Sequence, residues 1–132
     1  MGSKGRPYRS LEIDGFQVLV GKGDRENDVL TFEVAEPRDV WMHVASHSGS
    51  HVVIRNPDEL SLREIPRPVL ERAAELAAWY SKARAAARVE VHVCRAADVS
   101  QPRGFPPGKV LLARWSRLRV RPRGPAEPRE EE

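Results

Sequence analysis

Residues 39–55 read DVWMHVASHSGSHVVIR, two short apolar runs on either side of a small, polar link. Val40–Val44 and His51–Arg55 have the length and β-branched content of strands. Ala45 to Ser50 carries only small or polar side chains, which suits a tight loop. Side chains alternate across a strand, so Met42 and Val44 share one face while Trp41 and His43 share the other. Met42 and Val44 are the better core candidates. Trp41 and His43 therefore fall on the face expected to meet solvent, where an indole could stack on a base. The competing reading is a core tryptophan.

Outward from this hairpin, more strands are expected. Asp14-Gly15 signals a turn, and Phe16–Val20 alternates as a strand before Gly21-Lys22-Gly23-Asp24 breaks it. Asn27 or Asp28 is an expected N-cap for a short helix from Val29 to Ala35, closed by Glu36-Pro37. Residues 68–88 carry apolar side chains at spacings of three and four, from Val69 through Leu76 and Tyr80 to Ala87, and are rich in alanine. That pattern predicts a long helix of about 30 Å, with Pro66 and Pro68 at its start. Val89–Cys94, Lys109–Ala113 and Arg117–Val120 read as strands, with 101–108 as a loop. The expected fold class is α+β, a mixed β-sheet of about six strands with one long and one short helix. The long helix covers one face; the other is partly exposed and partly arginine-rich. Residues 1–9 are expected to be flexible, 10–122 to form the domain, and 123–132 to be a disordered acidic tail.

The chain has 132 residues, of which 40% are hydrophobic and 31% charged, enough for a single core. Its one cysteine, Cys94, excludes a disulfide scaffold within the monomer and a cysteine-rich zinc ribbon. No window suits a membrane span and no apolar leader begins the chain, so a cytoplasmic protein without a membrane partner is expected. The net charge is +3. Residues 1–88 are neutral. Residues 89–123 hold eight basic side chains (Arg95, Arg103, Lys109, Arg114, Arg117, Arg119, Arg121 and Arg123) against Glu90 and Asp98, a net +6, and 124–132 is net −3. An excess of cations in one segment points to an anionic partner, most commonly nucleic acid.

Catalytic signals are weak. His43, His47 and His51 are four apart, which on a helix would suit zinc, but Ser48, Gly49 and Ser50 argue against a helix there. No metal and no cofactor are expected. No nucleophile elbow surrounds Ser46, Ser48 or Ser50, and Cys94 beside His92 reads as a small buried residue. His43 and His51 also read as ordinary strand histidines with satisfied hydrogen bonds. Gly21-Lys22-Gly23 reads as a turn with a basic tip, and Ser48-Gly49-Ser50 could turn backbone N–H groups toward an anion.

Several segments together resemble one family. They are Asp14-Gly15-Phe16 through Gly21-Lys22-Gly23, Asn27-Asp28-Val29-Leu30-Thr31, Asp39-Val40-Trp41-Met42-His43, and Ser48-Gly49-Ser50-His51-Val52-Val53-Ile54. Ala77 to Arg84 and Gln101 to Val110 add two more. In order and spacing, over roughly residues 8–122, they resemble the NFACT-R domains, the RNA-binding domains of ribosome-associated quality-control proteins. Gly23, Ser48 and Trp79 depart from the usual Asn, Pro and Tyr. The resemblance implies a stand-alone RNA-binding module acting on the ribosome, rRNA or tRNA, without the family's amino-terminal domain, helix-hairpin-helix element or coiled coil. Tailing activity is not carried over. The resemblance also implies that Asp39, Trp41, His43, Ser50 and His51 form a shared functional surface.

The expected function is thus non-catalytic RNA binding. Lys22, Arg55, Lys82, Arg84, Arg103, Lys109, Arg117, Arg119 and Arg121 would contact phosphates, and Trp41, His43 and His51 would contact bases or sugars or order the loop at 45–50. The alternatives are an RNA-processing enzyme using His43 and His51 as acid/base or metal-ligand groups, and a DNA- or protein-binding adaptor.

Overall fold

The computed structural model of the chain describes residues 5–125. Six strands form one sheet: β1 (Tyr8–Ile13), β2 (Phe16–Gly21), β3 (Val40–Val44), β4 (Val52–Ile54), β5 (Val89–Arg95) and β8 (Ser116–Val120). Their order is β1-β2-β4-β3-β5-β8, and every pair is antiparallel. Two shorter strands, β6 (Val99–Ser100) and β7 (Leu111–Leu112), make a separate ribbon. The α+β class and the six-stranded sheet follow the sequence pattern. The expected strand at 109–113 is shorter and pairs in the ribbon instead of the main sheet.

The alternation read from the sequence sorts the two faces of the sheet. Val18, Val20, Met42, Val44, Val52, Ile54, Val91 and Val93 all point to one face. There they meet Val69, Ala73, Leu76 and Ala77 of helix α2 (Arg67–Trp79). Each fully buried large apolar side chain in this layer contributes about 1.5–3 kcal/mol. The second face holds Leu19, Trp41, Val53 and Cys94, roofed by Leu30 and Val99. This roof covers the β2–β4–β3 part of the face and the Cys94 end of β5. Beyond it, toward β8, the exposed Arg117 and Arg119 stand on the face, opposite His92 and Glu90 in register.

Three elements differ from the sequence reading. The short helix starts earlier, as α1 (Asp24–Val29), and runs on through a π-type turn, Leu30–Val34. Asn27 and Asp28 therefore sit inside it, and their short side chains bond to other segments instead of capping a helix end. Helix α2 stops at Trp79, nine residues short of the alanine-rich prediction. Tyr80, Ser81 and Lys82 turn away to bridge the 48–50 loop, with Ser50 N–H donating to Tyr80 O (2.8 Å) and Lys82 N–H to Ser48 O (2.9 Å). Those bonds, with Ser81 Oγ donating to Ala78 O (2.7 Å), outweigh the helix propensity of Ala83 to Ala87.

The domain also extends past both expected ends. Tyr8 and Arg9 belong to β1, and the Arg9 guanidinium lies 5.0 Å over the Tyr80 ring. Pro122 and Gly124 are buried, and Arg72 donates to the carbonyls of Arg123 (3.2 Å) and Gly124 (2.8 Å). Residues 1–4 and 126–132, parts of the segments expected to be loose, lie outside the described residues. Among the described residues, no helix is long and apolar enough to cross a membrane.

Candidate nucleic-acid interface

The 45–50 loop, the start of α1 and the residues after α2 meet at one end of the sheet. Gly49 permits this approach: a Cβ there would lie 2.6 Å from Ser81 Cβ and 3.2 Å from Tyr80 O. Asn27 ties α1 to the same loop, donating to Gly49 O (3.2 Å) and accepting from His51 N–H (3.0 Å). Asp28 accepts from Gly108 N–H (2.9 Å) and Gln101 Nε2 (3.0 Å), which fixes the 101–108 loop against α1.

Below the loop lies a buried polar chain. Trp41 Nε1–H donates to Thr31 Oγ1 at 3.0 Å, and Thr31 Oγ1 is 2.7 Å from His51 Nδ1. His51 Nε2 is 3.1 Å from Gly108 O. A carbonyl only accepts, so the partners assign the proton to Nε2, leaving Nδ1 to accept from the Thr31 hydroxyl. Every donor and acceptor along the chain is then used. His51 is fully buried, and desolvation, with the nearby His43 next, pushes its pKa down to about 3. It is a neutral, structural imidazole.

His43 is half-buried at the edge of this chain, its ring 5.4 Å from His51 and 6.0 Å from Trp41. Burial, with His92 next, holds its pKa below the ordinary histidine value, while backbone hydrogen bonding at Val44 and Gly49 works the other way. Cys94 is also buried, and burial pushes its thiol up to about 12, so no thiolate is available as a nucleophile.

These facts redistribute the expected site residues. Trp41 is 1% exposed and gives no free ring face to a base; the segment from Leu30 to Val34 covers the strand face expected to be wet. His51 is sealed in the same way. Asp39 lies at the far end of β3, buried, where it accepts from Asn56 N–H (2.7 Å) and Glu36 N–H (2.9 Å). Arg55 Nε lies 2.8 Å from the Asp39 carboxylate, an ion pair whose angle falls outside hydrogen-bond geometry. Asp39 and Arg55 are therefore separated from the loop end. Ser50 Oγ donates to Gly21 O (2.6 Å), and its N–H is taken by Tyr80, so Ser50 N–H does not form part of an anion nest.

Of the remaining candidates, Lys22, His43, Lys82, Arg84 and Lys109 gather around the loop. A depression of about 320 Å³ is lined by Arg9, Lys22, Lys82 and Arg84 with Ser48 and Gly49. It shares Asp24, Ser48 and Gly49 with a second, and that one shares His43, His47 and Lys109 with a third that opens onto the second sheet face. The three depressions adjoin through these shared residues in one groove region with basic ends, Asp24 being the acidic group among their lining residues. Arg117 and Arg119 stand beside its far end. Arg117 pairs with Glu90 at 3.1 Å, whereas Arg103, Arg119 and Arg121 are exposed and form no ion pair among the described residues. Arg84 donates to Trp79 O (2.7 Å) with its guanidinium 4.3 Å over the Trp79 ring, so it is partly a structural clamp.

The sequence reading passed over Arg9, Asn27, Thr31, His92 and Trp115 as site or site-supporting residues. Asn27 and Thr31 are the polar positions of the Asn27-Asp28-Val29-Leu30-Thr31 motif, and that was their signal. His92 could have been found on the wet face of an alternating strand. Trp115, between loop and strand, carried no pattern.

The NFACT protein RNA binding domain family matches residues 6–114 of the chain. The Rqc2 homolog RqcH of Streptococcus suis is 41% identical over 118 residues, which cover 89% of this chain and 20% of that protein. The same-named protein of Bacillus subtilis is 41% identical over 98 residues, 73% of this chain and 16% of its own length. The chain thus spans about a fifth of the length of these relatives. Among solved structures, the C-terminal part of the fibronectin/fibrinogen-binding protein from Streptococcus suis superposes with a TM-score of 0.78 at 39% identity. That alignment covers 89% of this chain and 46% of the other. The chain belongs to the NFACT protein RNA-binding domain family.

Proposed function

We propose that this domain binds RNA without catalysing a reaction on it, and that the RNA is ribosomal or transfer RNA in ribosome quality control. The observation that carries this reading is the run of adjoining depressions, with Lys22, Lys82 and Arg84 lining one end and Lys109 the other, where Arg117 stands opposite His92 in register. Its exposed cations suit a phosphate backbone, the dominant source of affinity in such complexes. The family description and the relatives' names, RqcH and, in Drosophila melanogaster, a ribosome quality control complex subunit NEMF homolog, support the same partner class.

A non-catalytic role is supported by His51. Both ring nitrogens of His51 are engaged by Thr31 and Gly108, which leaves no lone pair for a metal and no proton to exchange with a substrate. The test is RNA affinity against salt concentration. Replacing Arg117, Arg119 and Arg121 together by serine should weaken binding and flatten the slope of log K against log salt. The expected change is about 2, at about 0.7 per lost single-strand phosphate contact. An unchanged slope would remove the β8 arginines from the interface.

A further inference from the structure

The far end of the groove has a composition that phosphate binding does not explain. Among the described residues only three large apolar side chains are exposed, Phe32, Leu111 and Trp115, and two of these line this one pocket. The pocket measures about 420 Å³, and His43 and His92 lie in it with Trp41 at its inner end. The Trp115 and His92 rings are 5.6 Å apart at their centroids and tilted by 46°, a wedge-shaped pair. Trp115 is 47% exposed. An aromatic ring left in solvent beside a second ring costs hydration free energy that a planar, apolar-faced guest would recover.

Cations flank the wedge. Lys109 lines the pocket, and Arg117 faces His92 across the β5–β8 pair. The Glu90 carboxylate lies 3.1 Å from Arg117 Nε and 3.4 Å from His92 Nε2, and so draws the arginine and the imidazole toward one charge. A flat aromatic guest carrying an adjacent negative charge fits this arrangement, and an unpaired nucleotide is such a guest. We infer that the Trp115–His92 wedge is a base-stacking subsite, taking one unpaired base of single-stranded RNA on the Trp115 ring while Lys109 and Arg117 hold its flanking phosphates. This rests on the RNA-binding reading above and adds to it the strand state of the RNA and the residue that reads a base.

The reading predicts that a base, and not only a charge, contributes at Trp115. Fluorescence anisotropy would compare a short single-stranded RNA with an abasic ribose-phosphate oligomer of equal length. The protein is used as the full chain, as wild type, Trp115→Ala and Trp115→Phe. Wild type should bind the RNA more tightly than the abasic oligomer. Trp115→Ala should bind the RNA about 5- to 150-fold more weakly and leave the abasic affinity unchanged. Trp115→Phe should keep most of the preference. The exposed position makes an unfolded variant unexpected, and a thermal melt by circular dichroism verifies this. Unchanged RNA affinity in Trp115→Ala, or an equal loss on both oligomers, overturns the subsite while RNA binding by the wild type stands. A wild type that binds neither oligomer overturns both readings.

Discussion

Replacing Thr31 by valine isolates the buried polar chain. The two side chains have nearly the same shape, so the substitution removes one hydroxyl with little change in packing volume. Thr31 is 4% exposed, and its Oγ1 serves two buried partners, Trp41 Nε1–H at 3.0 Å and His51 Nδ1 at 2.7 Å. Valine leaves both unmet in an interior that water does not reach. Each orphaned group costs about 1–3 kcal/mol, so a loss of about 2–6 kcal/mol is expected. That is a large share of the roughly 5–15 kcal/mol that holds a small domain folded. The midpoint of thermal unfolding should fall by roughly 6–24 °C for a chain of this size. Urea denaturation at neutral pH, followed by circular dichroism, gives the free energy directly. Thr31→Ser keeps the hydroxyl and loses one methyl, a cost of about 1 kcal/mol. If Thr31→Val costs no more than Thr31→Ser, the hydroxyl is not the hinge of the chain and the assigned tautomer of His51 loses its support.

Two other predictions concern the same end of the sheet. His51 has a pKa of about 3 in the folded chain, so between about pH 6.5 and pH 3 the unfolded chain takes up a proton that the folded chain refuses. Stability is complete above that window and lost as pH falls through it, by about 2 kcal/mol at pH 5 from His51; a His51 ring signal titrating near pH 6.5 by NMR would contradict this. Gly49→Ala places a Cβ 2.6 Å from Ser81 Cβ and should cost about 1–3 kcal/mol by pushing the loop off the end of α2; a urea midpoint within error of wild type would show that the approach is slack.

Much of the sheet was legible because its side chains obey strict alternation. Met42 and Val44 point to α2 as expected, and Arg117 and Arg119 stand opposite Leu118 and Val120. What alternation does not reveal is what lies over each face. Trp41 was assigned to a wet face because its own strand said nothing of Leu30, which arrives from a separate segment and buries it. The same limit hid the partners of His51, although the strand pattern allows it to be an ordinary hydrogen-bonded histidine. The residues on either side of it, Ser50 and Val52, say nothing of its ring's partners, Thr31 and Gly108, which are 20 and 57 residues away. The end of α2 was misread for the converse reason. Alanine propensity is local, and the bridge from Ser48–Ser50 to Tyr80–Lys82 that ends the helix is not.

The position of β8 gives its arginines a second consequence. β8 is an edge strand of the sheet, and among the described residues it pairs with β5 alone, so its outer row of backbone N–H and C=O groups has no ladder partner there. An open edge of this kind is a template for self-association, and charged side chains along it repel a second copy. Arg117, Arg119 and Arg121 sit on or just after that edge, and Pro122, which cannot donate to a ladder, follows them. Neutralising the arginines therefore unguards the sheet as well as discharging the groove, and a variant made with apolar replacements would aggregate through β8 before its affinity for RNA could be read.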